Sequence, residues 1–128
     1  MKEKLEKIAQ KVLDQANIPK DENYGSVIAI LMVISIILTC IRVLQECRKS
    51  KDSSLSQSQL GDSYGQEIRL LGKKRGMFTK LRLRKIIKRN LSPDQYNTYG
   101  ENLLNSILSI GENITDDETI TLLEAANV

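Results

Sequence analysis

The chain has 128 residues, 19 Lys and Arg against 16 Asp and Glu for a formal net charge of +3, and neither His nor Trp. Without His it lacks the commonest general base, the commonest metal ligand and the usual partner of a catalytic nucleophile, so conventional catalysis is disfavoured. With one Phe and four Tyr, any packed region must rest on Leu and Ile, and the apolar residues are concentrated in one stretch instead of being spread at core spacing.

Residues 1–18 read as an amphipathic helix. In "LEKIAQKVLDQA", Leu5, Ile8, Ala9, Val12, Leu13 and Ala16 recur at helical spacing and form one apolar stripe, and Pro19 closes the helix. Residues 19–24 then make a polar hinge. The stripe is expected to lie in a membrane interface or against a partner helix. Folding it back onto the rest of the chain would require both ends to share one side of a membrane.

Residues 25–47, "GSVIAILMVISIILTCIRVLQEC", read as a transmembrane helix. The run from Asn23 to Ile41 has no charge over 19 residues, roughly 28 Å of helix against about 30 Å of hydrocarbon. Its Ile and Val lie all round the helix, as lipid solvation requires. Arg42 can snorkel to the headgroups at the C-terminal end. The run begins too late, is too long and is followed by no small-residue cleavage site, so an anchor is expected in place of a cleaved signal. Arg42, Arg48, Lys49 and Lys51 follow the span closely, whereas Lys20 and Lys11 are the nearest cations before it; the C-terminal part is therefore expected to be cytoplasmic. Ser35, Thr39 and Arg42 form a polar stripe at i, i+4 and i+7 suited to contact with a second membrane helix. Cys40 and Cys47 are about 10.5 Å apart along a helix axis and cannot bridge each other within it.

Residues 48–72 are rich in Ser, Gln, Asp and Gly and read as a polar linker. Residues 73–128 read as a small helical domain with a basic first helix and acidic later ones. Its punctuation is explicit: Ser92, Pro93 and Gln95 open one helix with a capping box, and Thr115 and Glu118 open another, with Asp116 and Asp117 in its first turn. "TKLRLRK" alternates like a strand, but Leu83, Ile86 and Ile87 fit one helical face, so a helix from about Met77 to Asn90 is expected. "LLNSILSIGENITDDETITLLEAANV" resembles, over 26 residues, the helix, turn and capped helix that link paired EF-hands in calmodulin-type proteins. The resemblance stops short of the calcium loop, because nothing of the form D-x-D-x-D-G occurs in the chain.

The most concentrated charge is "KKRGMFTKLRLRKIIKRN", residues 73–90. Lys73, Lys74, Arg75, Lys80, Arg82, Arg84, Lys85, Lys88 and Arg89 stand there without one acid, while seven acids and no base follow from Asp94 to Val128. Four partners can neutralise this tract: the acidic helices of the same chain, an anionic membrane face, nucleic acid, and an acidic protein surface. Nucleic acid ranks below lipid, since no recognisable nucleic-acid fold or aromatic platform accompanies the tract.

The sequence thus points to an all-α protein: a single transmembrane helix, an N-terminal amphipathic helix and a small C-terminal helical domain. It is expected to be non-enzymatic, without cofactor or metal, and to serve as a structural or accessory subunit. The expected partners are other membrane-protein subunits and anionic lipid, with self-association open. The alternative is a viral or phage membrane protein, either a minor virion component or a holin-like lysis factor.

Overall fold

The computed structural model describes residues 2–18, 25–48 and 56–126, and among them every element is helical. In chain order these are α1 (Lys2–Ala16), α2 (Gly25–Arg48), α3 (Gln57–Lys74), α4 (Met77–Asn90), α5 (Pro93–Glu112) and α6 (Asp116–Ala125). The expected hinge at 19–24 lies outside the described residues, as do residues 49–55 of the expected linker.

α1 forms on the predicted stripe and stops before Pro19. Asn17 takes a left-handed conformation (φ 55°), and the Ile18 N–H donates to the Leu13 carbonyl at 3.4 Å, closing the last turn. The stripe does not face outward, however. Ile8, Ala9, Val12, Leu13 and Ala16 are buried, and α1 packs against α2, α5 and α6 of its own chain. This corrects the expectation of an interface or partner helix. Full burial of Ile8, Val12 and Leu13 contributes about 1.5–3 kcal/mol each, which holds in place a 15-residue helix that would be marginal alone.

The second correction is α3, which occupies most of the segment read as a linker. Ser56 caps it, and Gln59 completes a capping box. Its apolar stripe is sparse: Leu60, Tyr64 and Ile68 at i, i+4 and i+8, with Tyr64 wholly buried. Glycines that suggested a loop instead allow close helix packing. A Cβ at Gly61 would lie 2.4 Å from Ile120 Cγ1 on α6, and one at Gly72 would lie 2.5 Å from the Leu108 carbonyl oxygen and 2.6 Å from the Glu112 nitrogen on α5. α3 thus packs closely on α5 and α6, meeting the α5 backbone at Gly72 and the Ile120 side chain of α6 at Gly61. It ends at Arg75, in a left-handed conformation (φ 49°) with its N–H on the Leu71 carbonyl.

The remaining helices follow the sequence closely. α4 spans Met77–Asn90 and buries Leu83, Ile86 and Ile87. α5 begins at Pro93 behind the Ser92–Gln95 capping box and runs to Glu112. α6 begins behind the Thr115–Glu118 box. Both boxes satisfy N–H groups that helix starts otherwise leave open. The core runs from α1 and one face of α2 through Leu83, Ile86 and Ile87 to Leu103, Leu104, Leu108, Leu122 and Leu123.

Candidate functional site

Two features remain after the core is accounted for: the uncovered part of α2 and the basic tract of α3 and α4. On α2, Val33, Ile36, Ile37 and Ile41 form a buried stripe, and the helix packs against α1, α4 and α6. Val27, Ile28 and Leu31, near the N-terminal end, are each more than half exposed. α2 is long and apolar enough to cross a membrane, and only 22% of its most apolar window is buried.

The polar stripe of α2 separates into three roles. Ser35 Oγ donates to Asn90 Oδ1 on α4 at 3.2 Å, while Thr39 Oγ1 donates to the Ser35 carbonyl of its own helix at 2.8 Å. Arg42 is exposed, with no partner among the described residues. At the other end of α4, Arg82 Nη1 approaches Cys47 Sγ at 3.7 Å. The two contacts fix α4 antiparallel to the second half of α2.

The nine basic residues also divide. Arg75 donates to Ser109 Oγ at 2.7 Å and lies 3.9 Å from Glu112, so it ties the α3–α4 junction to α5. Arg84 pairs with Glu101 of α5 at 2.7 Å. That hydrogen bond holds the Glu101 carboxyl below the usual range, with help from Lys80 nearby. Lys88 sits over the Tyr96 ring, 5.8 Å from its centroid, at cation–π distance. Among the described residues, Lys73, Lys74, Lys85 and Arg89 are exposed without an ion-pair partner. The acidic helices therefore pair with Arg75 and Arg84 and leave those four cations exposed.

Met77, Phe78 and Leu81 stand among these cations along the chain and are 75%, 86% and 47% exposed. Nine cations in the same eighteen residues mask them in the sequence. Their signal was present nonetheless: on a helix, Phe78, Leu81, Arg82, Lys85 and Arg89 fall on the face opposite Leu83, Ile86 and Ile87.

A cluster at the end of α2 was likewise missed. Arg48, counted by sequence only as a charge after the span, has a side chain 12% exposed, pairs with Glu67 at 3.0 Å and stacks over Tyr64, 4.4 Å from the ring centroid. It also donates to Ser63 Oγ. This half-buried cation joins α2 to α3, and the i+4 spacing of Ser63 and Glu67 was its only trace in the sequence.

Among the described residues, polar contacts also fasten α1 to α5 and α6. Ser106 Oγ, buried in α5, donates to the Val12 carbonyl at 2.6 Å, and Lys11 pairs with Glu118 of α6 at 3.1 Å. Burial pushes the Glu118 carboxyl up, but the Thr115 backbone N–H and Lys11 outweigh it, and the net shift is below the ordinary value. Asp116 pairs with Arg69 at 3.1 Å. Two of the three consecutive acids thus have structural partners, and among the described residues no group of three His, Cys, Asp or Glu could hold a metal ion.

Comparison with known proteins finds no matching family model, no matching curated protein and no matching solved structure.

Proposed function

We propose that this chain is a non-enzymatic, membrane-anchored accessory subunit, with α2 as its membrane-inserting element and the unpaired part of the basic tract as a docking surface. The observation that carries this is the incomplete cover on α2, which is charge-free from Asn23 to Ile41 and exposes Val27, Ile28 and Leu31. Apolar surface left in water costs about 25 cal/mol per Å², and a bilayer removes that cost.

Crossing has a structural condition. Lys85, Lys88 and Arg89 of α4 cannot follow α2 into hydrocarbon, so the Asn90 end of α4 must part from Ser35, while the Arg82 end can stay beside Cys47 at the headgroups. α1 must also leave α5 and α6. If it stayed docked, residues 19–24, with Lys20, Asp21 and Glu22, would have to run back through the hydrocarbon. The proposal therefore pairs the packed arrangement described above with an inserted one, in which α1 lies across the bilayer from α3–α6.

The burial of Val33, Ile36, Ile37 and Ile41 favours a second reading, in which α2 is the central helix of a water-soluble bundle and its exposed flank takes a partner's helix. Alkaline carbonate extraction of membranes from cells expressing the full chain separates the two. An integral anchor stays in the pellet, and complete release into the wash overturns it in favour of the bundle.

A further inference from the structure

We propose that the corner between α3 and α4 seats on an anionic lipid bilayer, with Met77, Phe78 and Leu81 entering the boundary between headgroups and acyl chains. This rests on the reading that the chain works at a membrane and deepens it by naming the contacting surface and the lipid charge. Three observations carry it.

The first is protrusion. Phe78 is the only Phe in the chain, yet it is 86% exposed in the first turn of α4, beside Met77 at 75%. These side chains are largely exposed to solvent, so they suit insertion into a fluid boundary. The second is charge. No acid occurs between Lys73 and Asn90, the unpaired Lys85 and Arg89 share the Phe78 face of α4, and Lys73 and Lys74 share a face of α3 with the exposed Leu70. Glu101 of α5 answers Arg84 and lies near Lys80, and the remaining cation-rich rim around an apolar centre matches lipid phosphates, which tolerate many arrangements of cations. The third is continuity. Arg82 reaches Cys47 in the last turn of α2, so the corner lies at the end of α2 where the apolar run gives way to charge. There an inserted α2 would deliver it to the headgroups.

The chain contains no Trp, so Phe78→Trp in the full-length protein creates a single Trp, excited selectively over the four Tyr, at an exposed position where packing is not at stake. The probes are phosphatidylcholine vesicles and vesicles of equal parts phosphatidylcholine and phosphatidylglycerol. The expected result is a blue shift and quenching by shallow brominated lipid with the anionic vesicles only. Gln at Lys73, Lys74, Lys85 or Arg89 should lower partition about fivefold per charge removed. Vesicle pelleting with unshifted emission overturns the inference while leaving α2 as the anchor. Equal shifts on neutral and anionic vesicles overturn the role of charge, and a blue shift on concentrating the protein without lipid overturns it in favour of self-association. Conversely, a charge-dependent shift from protein that carbonate fully extracts supports the corner as a peripheral contact and refutes only the anchor.

Discussion

Gly72 is the residue with least room to change. A methyl group there would press on the Leu108 carbonyl and the Glu112 amide of α5, which are backbone atoms and cannot rotate aside. Gly72→Ala should therefore destabilise the fold by about 1–3 kcal/mol or more, read as a lower urea midpoint. Gly76→Ala, with nothing within 4 Å of the added carbon, should stay within about 0.5 kcal/mol of wild type. Ser106 is a second such point: its buried hydroxyl on the Val12 carbonyl contributes about 1 kcal/mol. Ser106→Ala should show that loss in the same urea titration, with faster proteolysis of α1 as the local sign. Neither residue announces itself in the sequence. Gly72 reads as loop punctuation and Ser106 as an ordinary helix residue, because what matters at each is an atom on another helix.

At the scale of elements, charge joins helices that apolar packing has already brought together. Lys11–Glu118 links α1 to α6, and Arg84–Glu101 links α4 to α5. Both carboxylates have folded pKa values below their ordinary ones. Such groups contribute stability that is present above the unfolded value, about 4.3 for Glu, and lost as pH falls through the lower folded value. The urea midpoint should drop as pH is taken down through and below that range, and the drop should be shallower in Glu118→Gln, whose protonation no longer matters. A midpoint with the same acid slope in the variant would remove Glu118 from the account. The element least visible in sequence was α3. Its stripe of Leu60, Tyr64 and Ile68 is separated by Gly, Ser, Asp and Gln, which lower local apolarity, although the Ser56–Gln59 box marked its start as clearly as the boxes of α5 and α6 marked theirs.

For the whole molecule, the decisive question is where α2 goes when α4 covers it. The Ser35–Asn90 contact provides a latch for testing this. In a chain with Cys40 and Cys47 replaced by Ala, Ser35→Cys and Asn90→Cys joined by a short thiol crosslinker should hold α4 on α2. The linked protein should then become extractable by carbonate, while the unlinked protein stays in the membrane. If linkage leaves the pellet fraction unchanged, α2 either crosses with α4 attached or does not cross at all, and the two-arrangement account fails. Distinguishing these states matters because the packed form hides Val33, Ile36, Ile37 and Ile41, which full insertion would hand to lipid.

The sequence by itself determined the helical character of the chain, the apolar length of α2, the start of α5 at Pro93 and of α6 at Asp116, and the stripe of α1. Each of these depends on residues within one or two helical turns: period, caps and the absence of charge. Tertiary structure alone decided that the α1 stripe is covered by α2, α5 and α6, that the glycine-rich segment is a closely packed helix, and that Arg75 and Arg84 are taken up internally while Lys73, Lys74, Lys85 and Arg89 stay exposed without an ion pair among the described residues. Those outcomes depend on which surfaces meet across distant parts of the chain. An apolar stripe or a cationic tract fixes that something must cover it, and only the packed fold fixes what does.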